Sequence, residues 1–444
     1  MNRFAAGLKQ LTRYPSAFAG VAIILLLVGL AGYAVISVPY SEAIRLWRGG
    51  EGIWDESPRN AVPKWVNLFR LKKLPETIVM TAGSDTGKAL KTVSEGITTL
   101  QLAMPFNYKY DDYPSELTLF LDANFDRQRP QASIFWLTPD GREILLGERS
   151  VAASEPYRIS LDQRLSGKLG GQPAEKGLFA DPEKGTVLKG DYEVLIKALL
   201  FEDNSEIQAR LVIYGKAAGL AGTDNLRRDL WIALLWGTPI ALAFGLIAAA
   251  GSTVITLIIA AIGAWYGGWV DAVIQRITEL NAILPALPIL ILIGTFYSRS
   301  IWVMLGVIIL LGIFSLGIKV YRSIFLQVKD APYIEAARAY GASNLRIVLR
   351  YLVPRVLPML IPQFVLLIPS LVFLEAALAF IGLGDPVLPT WGKVLNDAFQ
   401  NGALYKGYYY WVVMPSFFLM LTGFGFAMLG YALDRIFNPR LRIE

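Results

Sequence analysis

The residue types that most often carry enzyme chemistry are scarce in this sequence. Its 444 residues include no cysteine and no histidine. Cysteine and histidine metal sites, Cys/His nucleophile–base pairs and Ser-His-Asp triads are therefore excluded. The sequence also lacks the Gly-x-x-x-x-Gly-Lys-Ser/Thr loop that cradles nucleotide phosphates. Adjacent acids such as Asp111 and Asp112 stand in a charged turn, so we predict a protein without catalytic residues, bound cofactor or metal ion.

One short stretch, Tyr333 to Pro354, combines small alanine side chains with positive charge. Asp330 is a candidate N-cap for its first helix, and Glu335 in the first turn suits the helix dipole. Gly341 is expected to end this helix because glycine tolerates positive φ. Three alanines leave one side thin enough for another surface to approach closely: Ala336, Ala337 and Ala339.

A second short helix is predicted in the same stretch, from Asn344 to Leu352. Ser343 is its candidate N-cap, and Pro354 is expected to break the chain after it. Four side chains give the stretch its basic character: Arg338, Arg346, Arg350 and Arg355. The pattern suits a helical hairpin gripped by another protein, and an ordinary membrane-proximal loop with a basic face is the open alternative.

The elements that position this hairpin are apolar runs long enough to cross a bilayer. The chain is 54% hydrophobic, which is too apolar for an ordinary soluble domain. We predict six spans, at residues 16–38, 239–264, 277–297, 301–318, 358–381 and 411–433. A cleaved signal peptide is the alternative for the first run, but its length and the lack of a small-x-small site favour an uncleaved span.

The distribution of basic residues predicts the orientation of these spans. Basic residues gather at 1–13, 319–355 and 435–442, with Arg276 near the remaining loop on the same side. The positive-inside rule places that side, the hairpin and both chain termini in the cytoplasm. The net charge of +6 is explained by these loops, so no nucleic-acid partner is expected.

The stretch between the first two spans has a different character. Short runs with period two are separated by turns rich in Gly, Pro and Asp, which is typical of antiparallel strands. Five runs carry this signal: 115–121, 132–138, 143–147, 191–198 and 206–214. They predict a β-sandwich, placed outside the cytoplasm by the span that precedes it.

These features together resemble the permease subunits of the oligopeptide/dipeptide-type binding-protein-dependent ABC importers, which are inner-membrane proteins. Glu335-Ala336-Ala337, followed by Gly341 and a hydrophobic-x-x-Pro ending at Pro354, resembles their EAA loop. Further segments occur in the expected order. They are Gly222-Thr-Asp-Asn-Leu-Arg-Arg-Asp229, Ala264-Trp-Tyr-Gly-Gly-Trp-Val-Asp271, Glu375-Ala-Ala-Leu-Ala-Phe-Ile-Gly-Leu-Gly384, Pro389-Thr-Trp-Gly392 and Asn438-Pro-Arg-Leu-Arg442.

The resemblance implies an α-helical membrane protein of the type I ABC importer fold. It would have six transmembrane helices and an extracytoplasmic, mostly-β domain inserted between helices 1 and 2. The expected domains are 1–40 with the first helix, 41–220 as the β-rich domain, and 221–444 with helices 2–6. A coupling helix would lie at 330–355.

The resemblance also implies how such a chain would be driven. The hairpin would sit in a groove of a cytoplasmic ATPase, and closure of two ATPases on ATP would switch the bundle between inward-open and outward-open states. ATP and Mg would bind to those partners. A second homologous permease subunit, an extracytoplasmic substrate-binding protein and the lipid bilayer complete the expected partners. The residues implied in ATPase coupling are Glu335, Ala336, Ala337, Arg338, Gly341 and Pro354.

Two further groups of site residues follow. Glu375 and Phe380 are candidates for the gate or the pore, because an acid in a span is functional by default; interfacial solvation is the open alternative for Glu375. The candidate outer-interface motif consists of Gly222, Thr223, Asp224 and Asp229.

Two departures from the family pattern stand out. Arg227 replaces a glycine that is usual in the Gly-Thr-Asp segment, and residues 41–220 replace a short connection. The inserted domain is interpreted either as a docking platform or lid for substrate delivery, or as a scaffold for assembly. We expect a permease subunit that imports peptides or similar small solutes; a mechanotransmitting or export-type subunit whose large outer domain does the work is the alternative.

Overall fold

The computed structural model describes residues 15–50, 52–82, 88–94, 97–202 and 204–437. The basic residues expected at the N-terminus and the tail segment 438–442 lie outside the described residues. The chain divides into two units. One unit contains the residues before Gly49 and after Trp231, and the other is Gly49–Trp231. We call them the helical unit and the strand unit.

The helical unit begins with α1 (Pro15–Ser37) and α2 (Tyr40–Arg48). Residues 41–48 therefore belong to the helical unit, although the predicted β-rich domain began at residue 41. The residues at the start of α2 are held by Trp236 of this unit, whose Nε1 donates a hydrogen bond to Val38 O at 3.1 Å. The ring of Tyr40 also packs against Trp236, with 5.6 Å between centroids.

Nine strands form two antiparallel sheets within the described part of the strand unit. The strands are β1 (Ile78–Thr81), β2 (Lys88–Ser94), β3 (Ile97–Tyr108), β4 (Glu116–Asn124), β5 (Gln131–Leu137), β6 (Glu143–Ser150), β7 (Glu155–Arg158), β8 (Gly190–Leu200) and β9 (Glu206–Tyr214). One sheet has the order β1-β9-β4-β7 and the other β2-β3-β8-β5-β6. Helices α3 (Gln163–Lys168) and α4 (Ala174–Gly177) lie between β7 and β8. The predicted β-rich region is confirmed.

Both sheets share one apolar core, which makes the strand unit a sandwich. On β4, Leu117, Leu119 and Leu121 are buried in this core. From the other sheet, Trp136 and Phe106 contribute rings whose centroids lie 5.6 Å apart in an edge-on arrangement. The period of two along each strand therefore separates core residues from the outer faces.

The two ends of the strand unit lie side by side. The amide of Asn60 donates to Asp224 O at 3.0 Å, and the amide of Thr223 donates to Ala61 O at 2.9 Å. Val62 and Ala217 form a parallel bridge beside them. Residues 221–229 are thus part of the strand unit, beyond the limit of residue 220 predicted from the sequence.

The remaining helices return to the helical unit. They are α5 (Leu230–Tyr266), α6 (Gly268–Ile283), α7 (Ala286–Phe296), α8 (Ile301–Ile313), α9 (Gly317–Lys329), α10 (Pro332–Ala339), α11 (Asn344–Ile347), α12 (Val353–Leu378), α13 (Trp391–Gln400) and α14 (Tyr409–Phe437). Close packing relies on glycine at some crossings. At Gly245 of α5, for example, an added Cβ would lie 3.0 Å from Ile368 O of α12.

Among the described residues, four helices are long and apolar enough to cross a membrane. The number rises to six if each of two bent pairs forms one span: α6 with α7, bent by 75°, and α8 with α9, bent by 45°. The predicted span at 277–297 therefore contains a sharp break. Leu284 is extended there (φ −68°, ψ 124°), because the residue before a proline, here Pro285, is disfavoured in the helical region.

Candidate functional site

The stretch predicted as a coupling helix forms a hairpin whose first arm is α10. The prediction that Asp330 caps this helix is wrong, because Ala331 occupies the N-cap position and Asp330 terminates α9. Pro332 explains the shift. It favours an extended residue before it, and Ala331 has φ −74° and ψ 144°. Glu335 lies in the first turn, where a negative charge is stabilised by the helix dipole.

Gly341 closes the first arm in the predicted way. Its φ of +78° lies in the left-handed region. The Gly341 amide donates to Arg338 O at 2.9 Å, and the Ala342 amide donates to Ala337 O at 3.0 Å. These two bonds form a Schellman motif, which satisfies carbonyl groups at the end of α10. The turn between the two arms is therefore fixed by backbone geometry.

The second arm does not end as predicted. Ser343 occupies the N-cap position of α11 but makes no capping bond with its side chain. The helical path then continues through a π-turn, Val348–Leu352, into α12. Pro354 lies in the first turn of α12 and does not break the chain, because the wider π-turn before it relieves the clash that its ring would make in a continuous α-helix.

The hairpin has a buried face and an exposed face. Ile334, Ala337 and Ile347 are buried in a cluster with residues of α5, α9 and α12. The other predicted coupling residues are exposed: Glu335, Ala336, Arg338, Gly341 and Pro354. Ala337 therefore packs against its own chain, and the exposed residues are the ones a partner can reach.

Basic side chains of the hairpin and of α9 contact the C-terminal end of α5. The Arg338 guanidinium lies 4.3 Å from the centre of the Trp265 ring. Lys329 Nζ donates to Ala264 O at 2.9 Å and to Trp265 O at 2.8 Å. A cation is favourable at these terminal carbonyls because the helix dipole is negative there. Trp265 lies in the family-like segment Ala264–Asp271 and Lys329 in the basic region 319–355, but neither pattern predicted that the two residues contact each other.

Two ion pairs join α9 to α6 nearby. Arg322 donates to both carboxylate oxygens of Asp271, through Nε at 2.7 Å and through Nη2. Lys319 Nζ lies 3.2 Å from Glu279 Oε1. The bidentate geometry fixes orientation as well as distance. The basic stretch predicted to mark the cytoplasmic side thus also holds the helices around the hairpin together.

The Gly222–Asp229 motif folds into a compact loop of the strand unit. Asp224 Oδ1 accepts from the amides of Leu226 at 2.8 Å and Arg228 at 2.9 Å, and Arg228 Nε donates to Oδ2 at 2.5 Å. Thr223 donates its hydroxyl to Pro58 O at 2.7 Å. Burial raises the pKa of Asp224 despite the opposing charge of Arg228. These bonded side chains hold the loop and are not displayed to a partner.

Arg227 has left-handed backbone geometry, with φ +69°. This explains why glycine suits the position. The Arg227 side chain instead contacts the strand unit: Nη1 donates to Ser57 O at 2.7 Å, and Nη2 pairs with Glu116. The arginine that departs from the family pattern therefore bonds to residues of the inserted unit.

The candidate gate residues lie near the end of α12. Glu375 is buried, is hydrogen-bonded to Thr390, and lines a crevice of about 10 Å³ together with Arg299 and Asp385. A carboxyl packed in this way is not solvated at the surface of the described unit. Phe380 is partly exposed and packs against Phe399, with 5.5 Å between ring centroids.

Comparison with known proteins agrees with this architecture. Residues 252–443 match the family of binding-protein-dependent transport system inner membrane components. The dipeptide transport system permease protein of Bacillus subtilis (strain 168) is 30% identical over 222 residues, which cover 50% of this chain and 68% of the relative. The oligopeptide transport system permease protein of Haemophilus influenzae is 31% identical over 226 residues, which cover 50% and 70%.

A third relative, the glutathione transport system permease protein of Pectobacterium atrosepticum, is 29% identical over 224 residues, covering 50% of this chain and 72% of the relative. The strand unit, Gly49–Trp231, lies outside the residues matched by the family model. The hairpin and the helices around it lie within them. The chain belongs to the family of binding-protein-dependent ABC importer inner-membrane components, and it is an integral inner-membrane protein.

Proposed function

We propose that this chain is one permease subunit of an ATP-driven importer of peptides or similar small solutes. It contributes half of the translocation path, and a second homologous permease subunit contributes the other half. A substrate-binding protein delivers the solute from outside the cytoplasm. Two cytoplasmic ATPases bind ATP and Mg, both termini of this chain lie in the cytoplasm, and the chain itself is not an enzyme.

The two-faced hairpin is the observation that carries this proposal. Its inner face is buried with α5, α9 and α12, so a force on the hairpin is passed directly to those helices. Its outer face presents Glu335, Ala336 and Arg338 around a rigid turn at Gly341. A partner that moves the outer face would therefore move the helices as well.

The relatives support the solute class. The three relatives described above are named as dipeptide, oligopeptide and glutathione transport permeases. All three solutes are peptides or peptide derivatives, so peptides are the proposed class here. The test is binding of di- and oligopeptides to the cognate binding protein, which can fail without affecting the coupling proposal.

The coupling proposal is tested with Glu335→Arg in the full chain, produced together with its ATPases and second permease. Reversing this exposed charge should lower ATPase recovery about tenfold, ~1.4 kcal/mol in binding free energy, and ATP-driven uptake should fall in parallel. Glu183→Arg is the matched control, since Glu183 is an exposed glutamate of the strand unit. Unchanged recovery and uptake for Glu335→Arg would refute coupling through this surface.

A further inference from the structure

Residues 65–73 of the strand unit form a loop with unusual apolar exposure, which we call the apolar loop. Leu68 and Phe69 are each 81% exposed, and Leu71 is fully exposed at 105%. Scattered single apolar residues are normal on a protein surface, but three large ones within four positions mark an interaction surface.

Two hydrogen bonds close the base of the apolar loop. Asn67 Nδ2 donates to Leu74 O at 3.1 Å, and the Leu74 amide donates back to Asn67 Oδ1 at 2.9 Å. The rings of Trp65 and Phe69 meet edge-on, with centroids 6.3 Å apart. Because the ends of the loop are clamped together, its apolar side chains point outward instead of joining the core of the sandwich.

The base of the loop lies against the segment that leads into the membrane. The Lys64 amide donates to Gly219 O at 3.0 Å, and Trp65 Nε1 donates to Leu220 O at 3.0 Å. That segment continues into α5, one of the helices long and apolar enough to cross a bilayer. Leu220 and Leu226, on the same segment, are also exposed. The base of the loop is therefore hydrogen-bonded to the segment that precedes a helix able to cross the membrane.

The charged residues within 65–73 are all positive. Exposed cations alternate with the apolar side chains along the sequence: Arg70, Lys72 and Lys73. Aromatic and aliphatic side chains combined with Lys and Arg are the composition of surfaces that lie in the membrane interface. Cations at that depth are attracted to anionic phospholipid headgroups.

We propose that the apolar loop is a membrane anchor of the strand unit. Leu68, Phe69 and Leu71 insert at the boundary between headgroups and acyl chains, and Arg70 and Lys73 bind anionic phospholipid headgroups. The anchor fixes one edge of the inserted unit to the bilayer surface.

The lack of cysteine in the sequence permits a clean test in the full chain. Leu71→Cys is labelled with an environment-sensitive fluorophore and reconstituted in nanodiscs that contain anionic phospholipid. Leu161→Cys is the matched control, because Leu161 is a leucine of the same unit with 70% exposure. We expect blue-shifted emission and quenching by lipid-borne nitroxide at position 71, and quenching by aqueous iodide at position 161.

Equal iodide quenching at both positions would overturn the anchor. Shielding of position 71 that occurs only after a second protein is added would also overturn it, in favour of a protein partner. Adding Arg70→Glu and Lys73→Glu to the Leu71→Cys chain should lower lipid quenching several-fold in anionic nanodiscs and much less in zwitterionic ones. Equal lowering in both would refute the headgroup contacts. Unchanged emission from labelled Leu161→Cys in the same background verifies that the unit remains folded.

Discussion

The guanidinium of Arg227 lies 4.0 Å from the centre of the Tyr214 ring, at a position whose φ is +69°. Tyr214 is the last residue of β9, so this contact joins the end of a core strand to the loop that leads into α5. The contact with Tyr214 and the pairing with Glu116 offset the strain of a side chain in the left-handed region. The inserted unit thus supplies the partners that make arginine acceptable there.

Replacing Arg227 should separate strain from contacts. Arg227→Ala retains the backbone strain and loses the contacts, so we expect a local destabilisation of about 2–3 kcal/mol. Arg227→Gly loses the same contacts but relieves about 1 kcal/mol of strain, so its loss should be smaller. Hydrogen exchange of the β9 amides in the full chain measures both, and an alanine variant as stable as the glycine variant would contradict the account.

The stability of the strand unit should depend on pH through Asp229. Burial raises the pKa of this carboxyl, although a hydrogen bond from the Trp231 amide opposes the shift. The folded state therefore binds the proton more tightly than the unfolded state. This contribution is complete below the unfolded pKa of about 4 and is lost as pH rises through the raised folded pKa.

Asp229→Asn should remove that part of the pH dependence and stabilise the unit at neutral pH. Asparagine retains an oxygen that can accept from the Trp231 amide. The hydrogen bond at 2.9 Å is therefore present in both the parent and the variant. Amide exchange across a pH series compares the variant with the parent, and identical slopes would show that Asp229 does not titrate differently on folding.

Gly341 should be sensitive to any side chain. A Cβ at this position meets open space, so Gly341→Ala tests the φ of +78° alone, with an expected cost of about 1–2 kcal/mol to the turn. Gly306→Ala is the control, because that Cβ also meets open space but Gly306 lies within α8. Amide exchange at Ala342 should accelerate only in the first variant; acceleration in both would mean that the positive φ is not the cause.

The adjacent alanines of the hairpin should respond differently to the same change. Ala337→Leu adds volume to a buried position, where overpacking costs about 1–3 kcal/mol. Ala336→Leu changes an exposed position, where effects stay within about 0.5 kcal/mol, but it alters the surface offered to an ATPase. Thermal unfolding in detergent, together with ATPase recovery, distinguishes the two; a larger loss of stability for Ala336→Leu would reverse the assignment of faces.

Local patterns in the sequence were sufficient to predict some strands of the strand unit. The run at 206–214 alternates cleanly and forms β9 with the same limits. β3 was not predicted, and it contains Pro105, a residue that is unfavourable within a central strand. Pro105 lies beyond Ala103, the last residue of β3 that pairs with β2, so the sheet tolerates it.

The contacts of the candidate site were harder to predict. Gly341 requires only local backbone geometry, and its positive φ is confirmed. The contact of Arg338 with Trp265 and that of Arg322 with Asp271 join residues distant in sequence, which periodicity cannot pair. The predicted break at Pro354 was wrong because the rule for proline assumes a regular α-helix. The π-turn before Pro354 is wider and accommodates its ring.

The paired ends of the strand unit have an evolutionary consequence. Asn60 and Ala61 are bonded to Thr223 and Asp224, so the chain leaves the unit at the point where it arrived. A cassette of this kind can be grafted into a connection, or excised from it, in a single genetic event without changing the span that the connection must bridge. The same set of helices can therefore be built with or without the added unit.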